Sequence, residues 1–123
     1  MKIKTAEATK LQLDWGLALA VGGNPEIQRG KVYVPFAFME GAALKLYRHT
    51  DPAVCMGLID TERLRLSPSR MSDEWICDKV RDKSKGGIIS GYGKTLAEAV
   101  ARCIIAMRLG DEFECPDKLG VQS

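Results

Sequence analysis

The chain is expected to fold as α+β, with two main helices packed on a small, mostly antiparallel β-sheet. Three observations predict this. A capped, largely apolar helix follows a glycine-rich stretch between Gly91 and Asp111. A second apolar helix runs from Leu11 to about Val21. Between and around them lie short strand-like runs bounded by Gly, Pro, Ser and Asp.

The helix after Gly91 carries the clearest local signals. Thr95 and Glu98 have capping-box spacing, in which hydroxyl and carboxylate satisfy N–H groups at the helix start. Leu96, Val100, Ile104 and Met107 recur at helical spacing, and Ala97, Ala101 and Ile105 widen the apolar stripe. Glu98 and Arg102 form an i,i+4 pair, and Gly110 supplies the stop. Cys103 falls inside this helix as a small core residue.

From the start of the chain, residues 1–8 read as a loosely ordered lead-in or an edge strand. Thr9 and Gln12 then have capping-box spacing. In the helix that follows, Gly16 costs about 1 kcal/mol against Ala, which signals close packing. Gly22-Gly23-Asn24-Pro25 ends it. Lys31 to Phe38 has strand character, with Pro35 confining it to an edge or a bulge. Met39-Glu40-Gly41 is a turn, and Ala43 to Tyr47 fits either a short strand or a helical turn. Residues 48–52 form a polar loop, Met56 to Arg63 a short helix, and Leu64-Arg65-Leu66 a strand closed by Ser67-Pro68-Ser69. Trp75 to Val80 is a strand, residues 82–87 a hairpin turn, and Ile88-Ile89 the return. Residues 1–123 form a single domain, with 119–123 as a loosely ordered tail.

Composition narrows the function classes. Apolar residues make up 46% and charged residues 28%, the balance of a soluble globular chain. A net charge of +2 is too small for a non-specific nucleic-acid binder, so nucleic acid is not an expected partner. No apolar run approaches the roughly 20 residues a membrane span needs, and no signal peptide is recognisable. Four cysteines with no CxxC pair, and one histidine, argue against a zinc site and for free thiols in a reducing setting. No metal and no cofactor are expected.

Two stretches are candidate ligand contacts. The first is Tyr92-Gly93-Lys94-Thr95, where Gly-Lys-Thr precedes a helix as in phosphate loops. The full pattern fails, because Ile88 stands where a glycine is required. What remains is a flexible turn, or helix N–H groups and a lysine that attract an anion. The second is Tyr47-Arg48-His49-Thr50-Asp51. Tyr stacks, Arg forks onto phosphate, and Thr and Asp hold hydroxyls. The alternative is turn chemistry, with Thr50 or Asp51 capping the next segment. A His49–Asp51 pair would suit general-base work, but no nucleophile is identifiable, so no catalytic residue is assigned. Arg63, Arg65, Arg70, Lys79, Arg81, Lys83 and Lys85 read as a solvated outer face. Trp15 and Trp75 read as core or interface anchors.

Three sets of residues carry a resemblance: Leu13-Asp14-Trp15 with its helix to Gly22; Tyr47, Thr50-Asp51, Gly57, Ile59-Asp60, Leu64 and Leu66; and Gly93 with the helix to Leu109-Gly110-Asp111-Glu112, then Pro116-Asp117. In order and spacing these resemble the NinX-like family of small phage proteins, a domain of unknown function. Residues 35–46 depart from it, and Lys94-Thr95 stands where members often carry Thr-Pro. The resemblance implies a phage or prophage setting in the host bacterial cytoplasm, and an accessory role such as countering host defence.

The expected function is therefore non-enzymatic sequestration of an anionic nucleotide-like molecule, such as a cyclic nucleotide or cyclic ADP-ribose signal, by a homo-oligomer. Both candidate stretches would contribute to its pocket. The alternative is a protein-interaction module with an apolar patch at Val34, Phe36 and Phe38, and a small hydrolase comes third.

Overall fold

The computed structural model describes residues 1–35, 44–80 and 87–120. The expected turn at 39–41, the patch residues Phe36 and Phe38, most of the 82–87 hairpin turn and the last three residues lie outside the described residues.

The architecture is α+β and is centred on helix α3, Leu96–Arg108. Thr95 is its N-cap, accepting from the Glu98 N–H at 3.2 Å. Glu98 returns a bond one residue earlier than a standard capping box, taking the Lys94 N–H at 3.2 Å. Leu109 N–H and Gly110 N–H bond back to the last turn, with Gly110 at φ +98°, so the helix stops where the glycine predicts. Val100, Ile104 and Ile105 are buried as expected, while Leu96 is exposed at the helix entry. Replacing the cap, Thr95→Ala, should lower stability by about 1 kcal/mol in urea unfolding, because one helix-start N–H loses its acceptor.

Helix α1, Lys10–Ala20, packs on α3. Its capping box is complete: the Thr9 N–H donates to Gln12 Oε1 at 2.9 Å and the Gln12 N–H to Thr9 Oγ1 at 3.4 Å. A side chain at Gly16 would meet the Phe113 ring at 2.8 Å and Ile105 Cδ1 at 2.9 Å, so the close packing inferred there is present. Helix α2, Pro52–Glu62, starts four residues earlier than expected. Asp51 caps it through Ala53 N–H, and Pro52 stands at N1 where it needs no hydrogen-bond donor.

The strands form three small antiparallel sheets among the described residues, where the sequence suggests one. Strands β2 (Glu26–Gln28), β3 (Lys31–Pro35) and β4 (Leu44–Leu46) make a meander in that order. β4 settles the open choice at 43–47 in favour of a strand. β3 is the middle strand, contrary to the edge position expected for Pro35. Its pairing with β2 ends at Tyr33, so Pro35 pairs only with Leu44 and its ring faces no ladder on the other side. Strands β5 (Arg65–Pro68), β6 (Trp75–Val80) and β7 (Ile88–Gly93) form the second meander, in the order β5-β6-β7.

The third sheet joins the two ends of the described chain. Strand β1, Lys2–Lys4, pairs with β8, Glu112–Glu114. Of the two readings for residues 1–8, a loose lead-in or an edge strand, the strand forms at Lys2–Lys4, and a 3-10 turn, Thr5–Glu7, follows, whose Thr5 is buried and bonds to Gly110 O and Asp111 O. Leu119, expected in a frayed tail, is buried in the short helix α4, Asp117–Gly120. Four of the described strands, β1, β2, β4 and β8, are only three residues long, too short to join the longer strands in one broad sheet. Each small sheet therefore closes separately over the α1–α3 core.

Candidate functional site

The two stretches singled out in the sequence line separate concavities. The 91–95 segment is less a turn than the end of a strand. Gly91 and Gly93 belong to β7, and both are buried against α3. Positions for a Cβ at Gly93 lie 2.7 Å from Ala99 N and 3.0 Å from Glu98 C. These glycines bring sheet and helix together. At the helix start, Thr95 Oγ1 accepts from the Glu98 N–H, and the Glu98 carboxylate accepts from the Lys94 N–H just ahead of the helix, bringing a negative charge to the place an anion would take. Lys94 and Thr95 are exposed.

A cleft of about 310 Å³ opens beside β7. Lys4, Thr5 and Ala6 line one side and Ser90, Gly91 and Tyr92 the other. Arg102 and Ala106 contribute from α3, and Glu74, Asp111 and Glu112 add carboxylates. Tyr92 is 49% exposed, so its ring face is available at the lip. Arg102 is occupied by the fold: Nη1 donates to Tyr92 O at 2.7 Å, Nη2 to Ala8 O at 3.0 Å, and Glu98 lies 3.7 Å away. Its Nε is buried without a partner among the described residues. Among the described lining residues, Lys4 is the exposed cation.

The 47–51 loop is divided in role. His49 is 2% exposed; its Nδ1 lies 2.5 Å from Asp14 Oδ1, and its backbone N–H donates to the same oxygen at 2.7 Å. The acid that meets the imidazole is therefore Asp14 of α1, and Asp51 is the helix cap. Tyr47 packs against the core instead of offering a stacking face, and burial, with Asp14 and Asp51 nearby, pushes its phenol up to about 12. Only Arg48 and Thr50 are left facing outward. With Leu46, Asp51 and Pro52 they line a second surface concavity of about 320 Å³, which shares no residue with the cleft beside β7.

Sequence reasoning missed Asp14, Arg102 and Glu74. Asp14 was visible as an acid on the apolar face of a helix, a position that demands a buried partner. Val34, one member of the proposed apolar patch, packs partly buried against the core.

The thiols offer no evident nucleophile. Cys77 (β6) and Cys103 (α3) are both fully buried at the sheet–helix interface, where Cys103 Sγ donates to Ile89 O at 3.7 Å; their interaction with each other holds Cys103 down and, with burial, raises Cys77. Burial raises Cys55 and pushes Cys115 up to about 11, so these stay protonated near neutral pH. All four cysteines are free. Among the described residues no cluster of three His, Cys, Asp or Glu side chains forms a metal-binding group. No described helix is long and apolar enough to cross a membrane.

No family model matches the chain, and no curated protein matches it either.

Proposed function

We propose that the protein is a non-enzymatic binder that sequesters a nucleotide-like small molecule in the cleft beside β7. The observation that carries the reading is the half-exposed Tyr92 ring at the lip of a concavity that holds both a lysine and carboxylates. A ligand with a flat ring, hydroxyls and an anionic group matches that set. The ring stacks on Tyr92, hydroxyls donate to Glu74 and Asp111, and the anionic group lies toward Lys4. At about 310 Å³ the cleft is at the lower end of ligand pockets, which run from about 300 to 1,000 Å³, so one nucleotide unit fits better than an oligonucleotide. Catalysis is not part of the proposal.

The biological setting rests on the resemblance to NinX-like phage proteins. In that setting the protein acts in the host bacterial cytoplasm and withholds a nucleotide signal from a defence system.

The test is a melting-temperature screen against linear and cyclic nucleotides and ADP-ribose derivatives, followed by mass spectrometry of what heat-denatured complexes release. A rise of several degrees, with intact ligand recovered, is expected. Tyr92→Ala should abolish the rise while its own unliganded melting temperature stays within a few degrees of wild type. No rise across the panel, or full binding by Tyr92→Ala, sinks the reading. Recovery of altered ligand would make the protein an enzyme.

A further inference from the structure

No residue of helix α2 is fully buried. Its inner side is nevertheless well defined. Val54, Cys55, Leu58 and Ile59 pack partly buried on the core, and Glu62 meets Lys79 and Arg108. Ala53, Met56, Gly57 and Asp60 follow one another at i, i+3, i+4 and i+7 along the opposite side. All four are exposed, Met56 to 64%. A Cβ at Gly57 would meet nothing within 4 Å, so no packing among the described residues requires a glycine there. Its φ is not positive, so the backbone does not require one either. Glycine is a poor helix former because it gives up the most backbone freedom. A mid-helix glycine beside an exposed methionine is thus unexplained by contacts within one copy.

This face is complementary to itself. Met56 is a knob and Gly57, next to it, a notch. A two-fold axis crossing the helix between them sets α2 antiparallel to its own copy. Each Met56 then enters the notch over Gly57 of the other copy, the exchange that an isologous contact requires. A long, unbranched methionine adapts well to such a notch. The charges select the same direction. Exposed Arg48 lies at the start of the helix, where it shares a concavity with Thr50, Asp51 and Pro52. Exposed Asp60 and Arg63 lie at its end. Antiparallel packing brings each Asp60 toward Arg48 of the second copy, and each Arg63 toward Asp51. Parallel packing would set like charge against like. The antiparallel arrangement also opposes the two helix dipoles.

We propose that α2 packs antiparallel on α2 of a second copy, with Met56 of each seated over Gly57 of the other. The partner is a second copy of this chain because one face supplies the knob, the notch and both members of each charge pair, in matching order. None of these residues lines the cleft beside β7, so the inference does not depend on what that cleft binds. A joint made by one pair of short helices is at the small end of specific interfaces, so the dimer should form and dissociate with concentration.

Sedimentation velocity of the full chain from micromolar to millimolar concentration tests this, and reversible dimer is expected at the upper end. Gly57→Leu fills the notch from a position that is open in the single copy. Its melting temperature at micromolar concentration should match or exceed that of wild type, while its dimerisation weakens tenfold or more. Met56→Glu should be a folded monomer throughout. Arg48→Asp and Asp60→Arg should each weaken the dimer, and the double variant Arg48→Asp/Asp60→Arg should restore it. If Gly57→Leu fails to fold, Met56→Glu and the charge exchange decide. A wild-type monomer at every concentration overturns the proposal and leaves the face to a different protein. A dimer that survives Met56→Glu or a folded Gly57→Leu also overturns it, as does a charge exchange that restores nothing.

Discussion

Gly91→Val should be among the most damaging single substitutions in the chain, costing about 3 kcal/mol or more. A Cβ at residue 91 would overlap the Cys103 backbone nitrogen and the Ala99 carbonyl oxygen, and would lie 2.9 Å from Cys103 Cα. These are backbone atoms in the middle of α3, so no rotamer change relieves the clash. Either the sheet lifts off the helix or the helix bends, and both open the contact that buries Cys77, Ala99 and Cys103. The control is Tyr92→Val at the neighbouring, outward-facing position, which should change stability by less than about 1 kcal/mol. Urea unfolding of both variants measures the difference. A Gly91→Val protein within about 1 kcal/mol of wild type would mean that sheet and helix do not approach this closely in solution.

That glycine shows where the sequence is readable and where it is not. A run of Gly-x-Gly ahead of a capped helix has two physical explanations: a backbone that must turn, or a backbone that must come close to another. Only the second needs a partner from elsewhere in the chain, and nothing local distinguishes them. The caps were legible because both halves of each lie within three or four residues: Thr9 with Gln12, and Thr95 with Glu98. A cap at Thr50 or Asp51 for the following segment was legible by the same logic, and Asp51 is the one that forms it. The α+β class followed from those helices and the alternating runs between them. The β1–β8 pairing was not legible, because it joins Lys2 to Glu114 across nearly the whole chain. The cleft inherits that difficulty. Tyr92 was named as a contact, but the wall that faces it is built by Lys4, Thr5 and Ala6, which reach it through the same long-range pairing.

Asp14→Ala should cost about 3 kcal/mol, and its effect should reach the 47–51 loop 35 residues away. One carboxylate oxygen accepts both the His49 backbone N–H and His49 Nδ1, and His49 is almost wholly buried. Without the carboxylate, two donors are left in the interior with no acceptor, and the cost is that of their desolvation. Asp14→Asn keeps a carbonyl oxygen in place and should lose clearly less. His49→Ala removes one of the two donors and leaves the backbone N–H to hold the acid. The double variant Asp14→Ala/His49→Ala is the informative one. If the two side chains act as a pair, its loss is smaller than the sum of the single losses by 1 kcal/mol or more, on the scale of couplings between contacting residues. Additive losses in urea unfolding would show that they stabilise the protein independently. The pair also explains why the loop's polar residues divide as they do. His49 is drawn inward by an acid on α1, and Asp51 is held at the start of α2. Arg48 and Thr50, the residues between and beside them, are turned out by that anchoring. Releasing His49 should therefore disorder the Arg48–Thr50 surface before it affects the cleft beside β7, which amide exchange in Asp14→Ala would show as faster exchange at residues 48–50 with β7 unchanged.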